Sequence, residues 1–103
     1  MDHITPDDRP YAEEFRRQPI GNHSPGLQKV LNIMRNMYEV KGAYCLVATK
    51  PFREWVLARR TGVRDDPLEI LDDQVFHNLE EAEWHVFKLR WKAHVDEDLD
   101  EVL

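Results

Sequence analysis

Five histidines, two adjacent acid pairs and one cysteine are the side chains whose types could do chemistry, and their spacing supports little of it. His3, His23, His77, His85 and His94 lack the H-E-x-x-H pattern that puts two ligands on one helix face. Glu81 and His85, four apart, form the only local pair that could share a cation, and a solvated helix face accounts for them more simply. Asp65–Asp66 and Asp72–Asp73 are neighbours in sequence. General acid–base work needs two carboxylates across a cleft in different environments, and turn formation explains these pairs better. Cys45 lies in the apolar run "AYCLVAT", which excludes an internal disulfide and reads as a buried structural thiol. There is no G-x-S-x-G, no glycine-rich phosphate loop and no Cys/His arrangement, and four glycines are few for a backbone anion cradle. The expectation is a chain that is not catalytic on its own, with no catalytic residue, cofactor-binding residue or metal ligand of its own.

Charge narrows the partners. The net charge of −6 is unevenly spread: residues 1–23 hold five acids and three bases, and residues 96–103 hold five acids and no base. The middle of the chain is nearly neutral, so it has no general pull toward phosphate backbones, and no nucleic-acid partner is expected. One cluster argues the other way. Lys50, Arg53, Arg59, Arg60 and Arg64 gather in one region, and the element order derived below is also that of double-stranded RNA-binding domains. Against that stands "NLEEAEWH" at the start of the last helix, where such domains place lysines. With no run of about eighteen apolar residues and no charged-then-apolar leader, neither membrane nor export is expected, and the location is expected to be cytoplasmic.

The elements that position these residues fall into three parts within a length suited to one domain. Residues 1–23, with three of the six prolines and no sustained apolar period, read as an N-terminal arm, partly disordered, in which "YAEEFRR" could form a turn or two of helix. Residues 24–95 read as a single α+β domain. Ser24 as N-cap, Pro25 at the first helical position and the stripe Leu27, Val30, Leu31, Met34 and Tyr38 predict a helix that stops at Lys41–Gly42. "GAYCLVAT" and "EWVLARR" read as strands joined by the turn "KPFR", and "LEIL" as a third strand after "TGVRDDP". "DDQVFHN" leads into the last helix, capped by Asn78. The predicted order is α-β-β-β-α, a three-stranded antiparallel sheet with both helices packed on one face. Residues 96–103 read as an acidic C-terminal tail.

The last helix carries more apolar surface than a sheet can bury. At roughly 100° per residue, Leu79, Ala82, Val86, Leu89 and Ala93 fall within an arc of roughly 80°, the usual stripe for packing on a sheet. Trp84, Trp91 and Val95 fall on the far side, with Phe87 at the boundary. Two indoles can bury about 150–250 Å² each, so leaving both bare would approach the largest patch usual on a monomer. The first helix, the arm or another protein must cover them. Trp is enriched at interface centres, so Trp84, Phe87, Trp91 and Val95 are the expected apolar anchors for a partner, with Lys88 and Arg90 at the rim. The alternative is a self-contained binding module, either a homodimer through this helix or an RNA binder through the hairpin arginines.

"HSPGLQKVLNIMR" (23–35), "YCLVATKPFREWVLA" (44–58) and "DQVFHNLEEAEWHVFKLR" (73–90) together resemble the small subunit of N,N-dimethylformamidase. The resemblance runs from Pro19 to about His94 and rests on packing, capping and surface positions. It implies a partner: a large catalytic subunit that holds a mononuclear iron and hydrolyses the formamide C–N bond, while the small chain clasps it and supplies no metal ligand. It departs from the family at the front, where a short proline-rich arm replaces a longer helical extension. The chain is therefore expected to be an accessory subunit of a hetero-oligomeric amidohydrolase, docking through its last helix.

Overall fold

The computed structural model describes residues 4–35, 44–59 and 69–103. The expected helix end at Lys41–Gly42, Tyr38, the turn "TGVRDDP" with Arg64 and Asp65–Asp66, and Arg60 and His3 lie outside the described residues, as do the side chains of Asp72 and Asp73. In chain order come a 3-10 turn (Pro6–Asp8), α1 (Arg9–Arg17), α2 (Pro25–Arg35), β1 (Tyr44–Lys50), β2 (Glu54–Arg59), β3 (Glu69–Phe76), α3 (Leu79–Val95) and a single C-terminal turn of helix, α4 (Leu99–Val102). The fold is α+β. The expected α-β-β-β-α order stands, with two short helical elements before it and one after.

Local chemistry explains the boundaries. The Ser24 hydroxyl accepts a bond from the Leu27 amide at 3.2 Å, satisfying one orphan donor at the start of α2. Asn78 does the same for α3, accepting from the Glu80 and Glu81 amides at 2.8 and 3.3 Å. At the other end of α3, Asp96 takes a left-handed conformation (φ 59°) and returns its amide to the Lys92 carbonyl. That residue type tolerates αL, and the reversal sends the last residues back along the helix.

The sheet is antiparallel in the order β1-β2-β3. On β2, Val56, Leu57 and Ala58 are all buried. β3 is longer than the expected "LEIL". Leu57 pairs with Leu71 and Val56 with Val75, so residues 72–74 are extra on the β3 side and the strand resumes through Phe76 opposite Trp55. Such a bulge inserts residues without ending the strand. Between β1 and β2, the Arg53 amide bonds the Lys50 carbonyl at 3.0 Å, and Phe52 sits at φ 63°. Proline at the second corner and positive φ at the third is the type II turn pattern, which favours glycine or asparagine at the third. A phenylalanine there is strained by about 1–2 kcal/mol.

Among the described residues the helices are layered over the sheet. α3 packs along all three strands, with Ala82 and Val86 buried on that side. α2 instead packs on α1 and on the far side of α3. There Leu27, Val30 and Met34 of α2 join Ile4, Ala12, Phe15, Phe87, Trp91 and Leu99 in one buried cluster. α3 is thus a central helix with apolar matter on two sides, which is why its apolar residues do not resolve into one stripe.

Both terminal segments, the expected partly disordered arm and the acidic tail, contribute residues to this cluster. Ile4, Ala12 and Phe15 from the front and Leu99 from the back are each 4% exposed or less. α1 reaches α2 closely because position 26 has no side chain: a Cβ on Gly26 would collide with the Tyr11 ring. Glu14 fastens the same junction, accepting from the Ser24 amide at 2.8 Å and the Ser24 hydroxyl at 2.6 Å. Those bonds hold the Glu14 carboxyl below the usual range.

Candidate functional site

The surplus aromatic face of α3 is filled from within the chain. Phe15 of α1 stacks on Phe87 with ring centroids 4.4 Å apart. Phe87 in turn stacks with Trp84 at 5.6 Å and Trp91 at 6.1 Å, all at small interplanar angles. Trp91 is 0% exposed and Phe87 2%. Burying an indole requires a partner for its N–H, and Glu97 supplies it at 3.2 Å. The same carboxylate takes two bonds from Arg9, at 2.9 Å from Nε and 2.5 Å from Nη2. Arg9 belongs to the front of the chain and Glu97 to the back, so this fork-to-fork pair closes the two ends over Trp91.

The expected interface is corrected accordingly. Trp91 and Phe87 are interior and offer nothing to a partner as the chain stands. Val95 is half-buried against the same cluster, and Trp84 is half-buried at its edge. Lys88 lies 5.9 Å from the Trp84 ring centroid and pairs with Asp100 of α4 at 3.2 Å. Arg90 faces the sheet, donating through Nε and Nη2 to the Tyr44 carbonyl at 3.1 and 2.9 Å. Ala93, assigned to the sheet stripe, is exposed. The two arcs are real, and of the covers open to the second, the first helix and the arm both contribute, joined by Leu99; Ile4, Ala12, Phe15 and Leu99 are too scattered to show a period.

Glu97 makes the closure sensitive to acid. The hydrogen bond from Arg9, helped by that from Trp91, holds its carboxyl below the usual range. A group whose folded pKa lies below its unfolded value of about 4.3 contributes stability that is complete above that value and lost as pH falls through the folded one. The expected outcome is a shift of the Trp91 indole N–H resonance below about pH 4. Glu97→Gln should abolish that titration and destabilise the chain at pH 7, because a neutral amide replaces the charged partner of Arg9. An unchanged acid titration in Glu97→Gln would show that another carboxylate governs the indole.

The remaining chemistry-bearing side chains are engaged in local contacts. Arg59 pairs with Glu69 at 2.6 Å and Lys50 lies 3.9 Å from Glu54, so the basic cluster is partly neutralised by its own sheet. Glu54 is held below the usual carboxylate range first by the Thr49 hydroxyl, at 2.9 Å, and then by Lys50 and His77. His23 contacts the Gln18 carbonyl at 3.0 Å, and His85 lies against Phe76 at 5.2 Å between ring centroids. Burial pushes His85 and His94 below the usual imidazole range. His94 Nε2 is buried without a hydrogen-bond partner among the described residues. Cys45 is half-buried on β1, opposite Ala58. Among the described residues, no three His, Cys, Asp or Glu side chains gather closely enough to hold a metal ion together. Among the same residues, no helix is long and apolar enough to cross a membrane.

Phe52 is the surface feature that sequence reasoning took only for a turn residue. It is 93% exposed at the tip of the β1–β2 hairpin. The available signal was a bulky aromatic at the third corner of a proline turn, where glycine or asparagine is the local preference.

The chain is thus a small α+β protein whose central helix is packed on two sides by its own aromatic and aliphatic side chains. The family model for the N,N-dimethylformamidase alpha subunit matches residues 5–101, nearly the whole chain, and the protein belongs to that family. The match takes in the arm and the tail, the segments that close over Trp91. No curated protein and no solved structure matches the chain.

Proposed function

We propose that this protein is a non-catalytic accessory subunit that docks on a large catalytic subunit of a formamide-type C–N hydrolase and stabilises it in the cytoplasm. The observation that carries this reading is the match of residues 5–101 to an alpha-subunit family. Several acids of the described residues serve the chain's own structure, as Glu14 at Ser24, Glu69 at Arg59 and Glu97 at Arg9 do. In this reading the iron belongs to the larger subunit, whose chemistry it supplies, and the small chain contributes surface. Of the residues first expected to meet the partner, Trp84, Lys88 and Val95 keep partly exposed atoms at the edge of the helical layer, and Phe87 and Trp91 support them from beneath.

The test is to express the larger subunit with and without this chain. A single complex on size exclusion, with formamide hydrolysis surviving heat longer when the chain is present, is the expected result, since binding to the folded state stabilises by mass action. Two separate peaks and equal half-lives would overturn the reading.

A further inference from the structure

The buried residues divide at α3. On its sheet side, Ala82 and Val86 face strands whose own buried residues are Val56, Leu57, Ala58 and Phe76. On its other side, Leu27, Val30, Met34, Phe87 and Trp91 form a cluster that the front and back of the chain complete. Among the described residues, neither that cluster nor the apolar side chains packed against it include a strand residue. The front and back therefore cover one side of α3 and leave the other to the sheet. They are also tied to each other. The Glu97 carboxylate accepts both bonds of the Arg9 fork and the Trp91 indole bond, and its side chain is only 12% exposed. Lifting either segment alone strands a charge of the other at a partly buried place, which costs more than breaking a surface pair. Ile4 from the front and Leu99 from the back share the same cluster, so lifting one also bares the other.

We infer that residues 4–17 and 97–103 form one strap across α3, which opens and closes as a unit while α2, α3 and the sheet stay folded beneath it. Open, it bares Phe87 and Trp91; closed, it buries them. Each half of the strap meets the rest through a short reversal of the backbone, at Gly21 (φ 127°) behind α1 and at Asp96 (φ 59°) ahead of α4. α2 keeps its cap when the strap lifts. Glu14 then leaves Ser24, but the Ser24 hydroxyl still accepts from the Leu27 amide. The pair between Lys88 and Asp100, with Asp100 exposed, adds little to the closure. Coupling of this kind is reciprocal, so whatever holds the front shut also holds the back, 88 residues away in sequence. The strap needs no partner to exist, and it stands or falls apart from the accessory-subunit reading.

Hydrogen exchange of the full chain in low urea, followed by magnetic resonance, tests this. In wild type, the amides of α1 and the Trp91 indole N–H should share one opening equilibrium and one urea slope. They should exchange about tenfold or more faster than the slowest amides of β1 and β2, with a shallower slope, because less surface opens. Leu99→Ala, in the back segment, should then speed the α1 amides and the indole by a common factor of about tenfold or more. Ile4→Ala, in the front segment, should do the same to the indole and to the Leu103 amide, which donates to the Leu99 carbonyl at 3.0 Å. α1 amides that Leu99→Ala leaves unmoved would mean that front and back open separately. Wild-type α1 amides and indole that match the strand amides in rate and slope would mean that they open only when the whole chain unfolds. Either result overturns the strap, and the second needs no variant to fold.

Discussion

Replacing Trp91 by alanine is expected to destabilise the chain by about 3–5 kcal/mol, a large part of the 5–15 kcal/mol that a domain of this size ordinarily has. The ring is 0% exposed and is held between Phe87, the front of the chain and the back. Its removal leaves a cavity that rigid neighbours cannot close, and it leaves Glu97 with one donor fewer. In urea this should appear as a fall in midpoint of about 1–3 M at nearly constant slope. Trp84→Ala should cost clearly less, because that ring is only half-buried and can be replaced in part by water. The comparison is decisive for the correction made above. If the α3 aromatics were a docking face, both variants would be mild in the free chain, and Trp91→Ala would reveal itself only in binding.

Sequence reading succeeded where a local rule governs. The caps at Ser24 and Asn78, the proline start of α2 and the β1–β2 hairpin each depend on a few neighbouring residues, and each stands in the structure. The two-sided character of α3 was also visible, because angular position along a helix needs only a count of residues. What the sequence left open was which of the possible covers lies over the second face. Ala12 and Phe15 make one i, i+3 contact in a nine-residue helix, too short for a period, and Ile4 stands alone before it. The tail reads as acidic from its five acids, yet one of them, Glu97, turns inward to Arg9 and Trp91, and Leu99 follows it into the core. Charge count describes a segment's average preference. It does not describe the one carboxylate whose partners lie 88 residues away.

The longer β3 was hidden for a related reason. "DDQ" has the composition of a turn, and here it forms a bulge because Val75 and Phe76 beyond it still find partners on β2. Pairing across the sheet prevailed over local preference. Phe52 is the opposite case: local preference argued for glycine or asparagine, and among the described residues no tertiary contact explains the phenylalanine.

Phe15→Ala is the second large effect expected, again about 3–5 kcal/mol, and it tests the standing of the front of the chain. Phe15 is 4% exposed and touches Phe87 at 4.4 Å, His23 at 5.7 Å and Trp84 at 6.4 Å between ring centroids. Loss of the ring removes the lid of the aromatic stack, so a drop in urea midpoint should be accompanied by a weaker near-ultraviolet dichroism from the tryptophans beneath it. An arm that was merely attached would give neither change. The double variant Phe15→Ala/Phe87→Ala should be less destabilised than the two single losses added together, since the second truncation removes a contact already broken by the first. Additive losses would mean that the two rings pack in separate places, and the closure of the chain ends over α3 would then have to be abandoned.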